Sequence, residues 1–464
     1  MNGTVLNVDV LLLVFSLAHK QTKLELMSTC QVLYREGGKQ LLKDMDGVWL
    51  GTEPRLESFL LFMDADGGSR MRYLHRLSLG INLTLSRPVA KRFKKMLNRL
   101  APVSRLTDLS ILHLEPLLSA HPFLSKAIAE LTSIKAVNFY IVGKRSVKML
   151  KSMQSELETV EFGGFDDQLI QSSKPDDPDL IMLLRPFSSG LRSLTVAGWC
   201  ATVDPQDDAP QYPLLSDLTL DEPTSPTTWH YSRAFPNLKR LTIMTTGFVT
   251  AEERLDEFRE TNVALLRRHG CWESLDWFEG PILELWLLGI LCPVSKLNLH
   301  DECYPVTPDI LRGALVPARA TQLRISFYQF GLFLDEDFIR AFVEGCGATL
   351  KVLDLTIKIS LGEYDEVGYD LDLGDVLDAI TDMLRSFSTL ESVTLGLYFE
   401  ICHWRKDEEL PGEVFAEDMD VDAMCAALHE AVPAASYVRF ELQDHKTRGT
   451  ATAKIGSEEK KERM

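Results

Sequence analysis

One six-residue pattern, apolar-x-x-apolar-x-apolar, recurs along most of the chain and constrains its fold more than any other feature. The clearest copies are LRSLTV (Leu191, Leu194, Val196), LSDLTL (Leu215, Leu218, Leu220), LKRLTI (Leu238, Leu241, Ile243), VSKLNL (Val294, Leu297, Leu299) and LKVLDL (Leu350, Leu353, Leu355). Weaker copies are LHRLSL from Leu74, LSILHL from Leu109, IKAVNF from Ile134, LETVEF from Leu157, WESLDW from Trp272, ATQLRI from Ala320, LESVTL from Leu390 and ASYVRF from Ala435. About thirteen units follow one another, most at steps of 22 to 35 residues. A single such string arises by chance wherever Leu is common; about thirteen in series imply a repeat.

The spacing has a structural cause. The last two apolar residues of each copy alternate at strand period, so both side chains point to one side. The leading apolar residue enters the core from the bend before the strand. A return segment must then bring the chain back, and several returns read as helices. TAEERLDEFRETNVALLRRHG opens on a capping box, Thr250 with Glu253, and ends at Gly270. Asp337 to Gly347 is a second. In GDVLDAITDMLRSF, the residues Val376, Leu377, Ile380, Met383, Leu384 and Phe387 share one face. A strand and a helix per unit predict an α/β solenoid with a parallel sheet on its concave side and helices on its convex side.

These residues resemble the leucine-rich-repeat family over about 370 positions, which implies an irregular horseshoe over residues 71–443. The family's Asn or Cys, three residues past the last core position, is present once, at Asn82; Trp199, Pro223, Thr246 and Gly280 stand there elsewhere. A continuous Asn ladder is therefore not expected. In such a fold the residue between the two inward positions faces solvent on the concave sheet. That places His113, Asn138, Glu161, Thr195, Thr219, Thr242, Asp276, Asn298, Arg324 and Asp354 on a candidate target-binding face, with Ser78, Thr394 and Arg439 completing the row.

Ahead of the repeats stands VLNVDVLLLVFSLAHKQTKLELMSTCQVLYREG, Val5 to Gly37. An export signal needs a basic start and small residues at a cleavage site. Here no Lys or Arg precedes Val10, Asp9 precedes the apolar run, and His19-Lys20 follows Ala18. Leu6, Val10, Leu11, Val14, Phe15 and Ala18 instead recur at helical spacing, with Asn7 as N-cap and Asp9 in the first turn. A second helix is expected from the capping box Thr22–Glu25, carrying Leu24, Leu26, Met27, Cys30, Leu33 and Tyr34, and stopping at Gly37-Gly38. The division that follows is a helical domain over 1–44, a linker with a capping helix over 45–70, the repeats over 71–443 and a disordered tail over 444–464.

The N-terminal string also resembles an F-box, whose usual pattern is L-P-x-E-[LI]-L-x-x-I-F-S-x-L and then L-x-x-x-x-x-x-C-+-x-W. Without a gap, Leu6 matches the leading Leu, Asp9 the acidic position, Leu11 the following Leu and Val14-Phe15-Ser16 the I-F-S. Leu24, Leu26 and Cys30 match the second-helix apolar positions and the Cys. Asn7 replaces the Pro, Ala18 the later Leu, Gln31 the basic residue and Leu33 the Trp. The resemblance implies docking on the small adaptor of SCF-type cullin ubiquitin ligases, through Leu6, Asn7, Leu11, Val14, Phe15, Leu24, Leu26, Cys30 and Leu33.

Composition narrows the remaining classes. With 67 acidic against 49 basic residues the net charge is −18, which disfavours nucleic-acid phosphates as a target. No apolar run approaches the roughly 18 residues that a membrane-spanning helix needs. The eight cysteines are scattered without a C-x-x-C pair, as in a reduced protein of the cytoplasm or nucleus. Acidic loops at Asp166-Asp167, Pro175–Asp179, Asp204–Pro210, Glu363–Asp372 and Lys406–Asp422 read as solvated segments or as attractors of a basic partner. Asp64 to Gly68 lacks the Gly position and bidentate Glu of a calcium loop, and His300–Cys303 and Cys402-His403 lack further ligands.

No metal, cofactor or catalytic constellation is therefore expected, and the chain reads as a non-enzymatic subunit. The leading expectation is a substrate-recruiting subunit of an SCF-type ligase, with the adaptor and a cullin as partners and an unidentified protein as target. A stand-alone repeat scaffold capped by the N-terminal helices is the alternative. A secreted repeat protein is a third.

Overall fold

Strands and their return segments account for most of the protein, and its internal contacts divide it into two units, Met1–Leu215 and Ser216–Met464. The computed structural model describes residues 7–45, 47–81, 85–103, 105–164, 180–198, 209–222, 227–244, 254–301, 306–360, 372–400 and 411–457. Leu6, Asn82, Trp199, Pro223, Thr246, the Thr250–Glu253 box, Cys303, Cys402-His403 and most of the acidic loops lie outside these residues.

In the first unit, β1 (Val48–Leu50), β2 (Arg76–Leu79), β3 (Asp108–Ile111), β4 (Ala136–Phe139), β5 (Thr159–Phe162) and β6 (Ser193–Ala197) are laid side by side in chain order, all parallel. The second unit holds β7 (Asp217–Asp221), β8 (Arg240–Ile243), β9 (Leu275–Pro281), β10 (Val294–His300), β11 (Gln322–Phe327), β12 (Val352–Ser360), β13 (Ser392–Glu400), β14 (Tyr437–His445) and β15 (Gly449–Gly456). These too are parallel down to β14, and only β15 runs the other way. The repeat pattern is the core: Leu191, Leu194 and Val196, like Leu350, Leu353 and Leu355, are buried, and so are their counterparts in each turn. Burying one such side chain stabilises by about 1.5–3 kcal/mol, so each turn contributes through its strand as well as through its return segment.

The return segments follow the sequence closely where they are described. Leu255–His269 ends at Gly270, whose φ of 97° suits glycine. Glu336–Cys346 starts on Asp335, whose carboxylate accepts from the Asp337 amide at 2.8 Å. Leu373–Leu384 buries all six apolar residues assigned to its face or its exit, Phe387 included.

Four expectations are corrected. The sheet begins at Val48, inside the expected linker, because Val48 and Leu50 pair with Leu77 and Leu79 and are themselves buried. LSILHL is out of register by three: Leu109 and Ile111 are the inward pair of β3 and Leu106 leads them. WESLDW slips likewise, since Phe278 and Gly280 are the inward pair of β9 and Leu275 leads. In β3 two overlapping copies of the pattern compete. The true copy in β9 is hidden because its last position is Gly280, where a Cβ would meet the Ile243 carbonyl at 2.8 Å. Gly280 is thus a core position, not the site of a missing ladder residue.

The fourth concerns the tail. Residues 449–456 form β15, antiparallel to β14, with Phe440 opposite Ala453 and Val438 opposite Ile455. The alternation Thr450-Ala451-Thr452-Ala453-Lys454-Ile455 is a strand signal that a count of large apolar residues overlooks. The reversal is made at Asp444 and Gly449, both at positive φ, around a buried His445 whose Nδ1 accepts from the Arg448 amide at 3.3 Å.

The N-terminal helices also differ from expectation. Asn7 does cap Val8–Leu17, its side chain accepting from the Asp9 amide at 3.0 Å. The second helix, however, is Lys20–Met27 and starts at His19, so Thr22 lies inside it and makes no cap. Gly37-Gly38 does not end a helix. Leu33–Gly37 is a π-helical turn that runs into the helix Gly38–Asp44. Gly37 is there for closeness: a Cβ would stand 2.9 Å from the Phe15 ring.

Candidate interaction surfaces

The helical region packs around Phe15, Met27, Leu33 and Leu41, with Leu11, Leu12, Leu26, Met45 and Phe62 against them. Phe15 is fully buried and Leu33 nearly so, which makes both of them core. They support the exposed residues of these helices rather than forming the surface themselves. Leu11 and Leu26 are half-buried, whereas Asn7, Val14, Leu24 and Cys30 are exposed.

Two faces of the first helix are therefore apolar. Leu11, Leu12 and Phe15 point inward. On the outside, Leu13 is 59% exposed, Val14 51% and Leu17 81%, with Val8 and Val10 beside them. Leu24 and Tyr34 are exposed on the following helices. Leu13 and Leu17 carry most of this face, yet the F-box pattern leaves both positions free. The signal that would have found them is the mean hydropathy of VDVLLLVFSL, which exceeds what one buried stripe needs.

Arg70 anchors this region to the residues after it. Its fully buried guanidinium donates from Nη1 to the Phe62 carbonyl at 2.8 Å and from Nη2 to the Tyr34 carbonyl. It also stacks 4.4 Å from the Tyr34 ring centre and 4.1 Å from that of Phe62. Gly38 makes room for it, because a Cβ there would lie 2.7 Å from Nε. Nothing local in the sequence marks this residue.

The second surface is the solvent face of the strands. In the first unit, pairing aligns Trp49, Ser78, Ser110, Asn138, Glu161 and Thr195. His113 is not in this row. It precedes the helix Leu114–Ala120 as its N-cap residue, and Ser110 takes the place expected of it. Trp49, 58% exposed, lies across Gly51 and Gly80, where a Cβ would meet its ring at 2.3 and 3.0 Å.

In the second unit the row is Thr219, Thr242, Glu279, Asn298, Arg324, Asp354, Thr394 and Arg439. Asp276 falls outside it, exposed at the start of β9 and 3.9 Å from Lys239, and Glu279 stands in its place. Glu279 accepts from Asn298 Nδ2 at 2.8 Å and from Trp277 Nε1 at 3.3 Å. Arg324 pairs with Asp354 at 2.9 Å, and Arg439 with Glu441. The row is polar, and its middle four residues, Glu279 with Asn298 and Arg324 with Asp354, bond to one another. Beyond β11, Lys358 donates to the Tyr328 hydroxyl at 3.0 Å. Asp301, which accepts from the Tyr328 and Gln329 amides, is pushed up to about 6 by burial, against the pull of those amides.

Two buried carboxylates have no part in either surface. Glu115 caps the helix Lys144–Leu150, accepting from the Ser146 amide at 2.8 Å and the Ser146 hydroxyl at 2.7 Å. Glu284, in the helix Ile282–Leu288, has both oxygens buried without a hydrogen-bond partner, and burial raises its pKa to about 8. Among the described residues no group of three His, Cys, Asp or Glu is arranged to hold a metal, and no helix is long and apolar enough to cross a membrane.

No protein-family model matches the chain, and no curated protein does. Among solved structures, one described as the Rad7 and Elc1 complex in yeast aligns with a TM-score of 0.35 at 15% identity, covering 93% of this chain and 92% of that one. The complex of TLR13 with ssRNA13 aligns with a TM-score of 0.27 at 14% identity, covering 76% of this chain and 58% of that one. At these values the likenesses add nothing to the architecture described above.

Proposed function

We propose that the protein is a receptor subunit of an SCF-type ubiquitin ligase, contributing no chemistry of its own. Its helical region would grip the adaptor, and through it a cullin, while the strand face would hold a protein target. The observation that carries the reading is the outer face of Val8–Leu17, where Leu13, Val14 and Leu17 remain in solvent while Phe15 on the same helix is buried. A short helix with apolar residues on both sides is suited to fill the space between its own core and a partner. Joining the two binding surfaces in one chain raises the local concentration of target near the transfer machinery. The test is capture of the purified adaptor by the full chain, with Val14→Asp plus Leu17→Asp as the control that keeps Phe15 intact. Failure of the unmutated chain to bind overturns the proposal.

A second reading, a stand-alone scaffold whose helices only cap the repeats, is favoured by Arg70. Removing residues 1–44 would strip Tyr34 and Gly38 from its buried guanidinium. If that deletion unfolds the first unit and the full chain ignores the adaptor, the scaffold reading stands. If the truncated chain stays folded and loses the adaptor, the receptor reading stands.

A further inference from the structure

We propose that return helices of the first unit form a basic docking surface for an acidic, extended segment of a partner protein. This surface is separate from the strand row and from the outer face of Val8–Leu17, and it stands whichever reading of those two holds. Charge is unevenly placed along the chain. Residues 87–151 hold 13 Lys or Arg against three acidic residues, Asp108, Glu115 and Glu130, a net +10. The whole chain is −18, so the remainder carries −28.

Those three carboxylates are already engaged. Asp108 lies 3.4 Å from Arg76 Nε and Glu130 lies 3.6 Å from Lys126 Nζ, while Glu115 is buried at the start of Lys144–Leu150. The helix Glu53–Asp64 neutralises one flank only, through Glu57 with Arg92 and Asp64 with Lys95 and Arg99. On Arg87–Leu100 this leaves Arg87, Lys91 and Lys94 with no carboxylate partner among the described residues. At Lys144–Leu150 it leaves Lys144, Arg145, Lys148 and the following Lys151. All but the half-buried Lys94 are exposed. The helices are neighbours: Arg87–Leu100 packs on Phe123–Ala129, which packs on Lys144–Leu150. With packed helices about 9 Å apart the surface is roughly 20 Å across, and an extended segment of about eight residues spans it.

Folding does not call for these cations. Neither outer helix has an acidic residue with which to form pairs one turn apart. Lys144 and Arg145 occupy a first turn, where a cation opposes the helix dipole. In the second unit, Leu255–His269 has the favourable order instead, with Asp256 and Glu257 in its first turn and Arg267 and Arg268 in its last. A surface of one sign repels itself, and an anionic partner relieves that repulsion. Among anions, an acidic peptide fits best. The three helices expose no large apolar side chain that could enter a membrane. No exposed aromatic ring stands on them for bases to stack on, since Phe93 is buried and Phe123 half-buried. A nucleic acid would also run on past the patch, into the field of the remaining −28, whereas a short acidic segment ends within it.

The experiment measures fluorescence anisotropy of a fluorescein-labelled peptide of eight glutamates on the full chain, at about 50 mM salt. The unmutated chain should bind it. Lys91→Glu plus Lys148→Glu, two exposed positions on the outer helices, should weaken binding at least about tenfold. Lys144→Gln plus Arg145→Gln adds no charge to the helix end and should weaken it at least about threefold. Arg267→Glu plus Arg268→Glu, exposed cations of the second unit, should change it less than about twofold. The proposal is overturned if the unmutated chain does not bind the peptide, or if the substitutions in the two units weaken binding equally. It is also overturned if a DNA duplex, or phosphatidylserine–phosphatidylcholine vesicles, bind the same residues more tightly than the peptide does.

Discussion

The outer face of the first helix and the solvent face of the second unit's strands are both exposed, but they are exposed in different ways. Leu13, Val14 and Leu17 are apolar, and no protein group can satisfy them except by covering them. Glu279, Asn298, Arg324 and Asp354 already hold one another in hydrogen bonds and an ion pair. Covering the first surface gains hydrophobic free energy, at roughly 25 cal/mol per Å². Covering the second requires a partner that replaces bonds already made, so it yields selectivity more than affinity. A receptor with a constant partner and a chosen one would be built this way.

The largest expected effect separates the two sides of the first helix. Phe15→Ala removes a fully buried ring and should cost about 3–5 kcal/mol in the first unit, read by urea unfolding. Val14→Asp should leave the midpoint within about 1 kcal/mol of the unmutated chain. Equal losses would show that the helix has no free side. Arg70→Met comes next. It removes two charge-assisted bonds made by a fully buried guanidinium, and a loss of about 2–4 kcal/mol is expected in the same assay.

Glu284 extends the contrast to a buried carboxyl with no hydrogen-bond partner among the described residues. Its folded-state pKa, about 8, lies above the ordinary carboxylate value, so the native state holds a proton that the unfolded chain has lost. The second unit should therefore lose stability as pH rises from about 4.5 through 8. Glu284→Met should flatten that slope and raise the melting temperature at pH 8. A slope unchanged by the substitution would place the titrating group elsewhere. The smallest effect belongs to the strand row: Arg324→Ala should change stability by no more than about 1 kcal/mol, because the ion pair is solvent-screened. Any larger effect would make that face a structural element rather than a recognition surface.

The repeat was legible because three positions per turn obey one rule, burial, and the rule repeats too often for chance. Where it failed, the pattern fitted twice at β3 and Gly280 hid the true copy at β9, and only pairing with neighbouring strands decided the register. That cost His113 and Asp276 their expected places and concealed Ser110 and Glu279. The F-box-like string predicted helices and the cap at Asn7, but not which of its apolar residues face inward. Phe15 and Leu33 became core because the helix Gly38–Asp44 and the close approach at Gly37 cover them, and neither follows from local spacing. The Tyr34 partner of Arg70 and the Ser146 partner of Glu115 come from segments 36 and 31 residues away, which local spacing does not reveal. Glu284 was visible as the lone charge in ILELWLL, a helix with no polar side on which to carry it.

Register has a metric consequence for recognition. Adjacent strands stand about 4.8 Å apart, so the eight residues from Thr219 to Arg439 mark out a scale of roughly 34 Å in equal divisions. A helix of about twenty residues would fall just short of it. On such a scale the charges sit at fixed graduations: Glu279 at the third, Arg324 and Asp354 at the fifth and sixth, Arg439 at the eighth. A target held there would be measured as well as bound, and one whose own charges are spaced to a different interval would match the scale at one mark but not at the next.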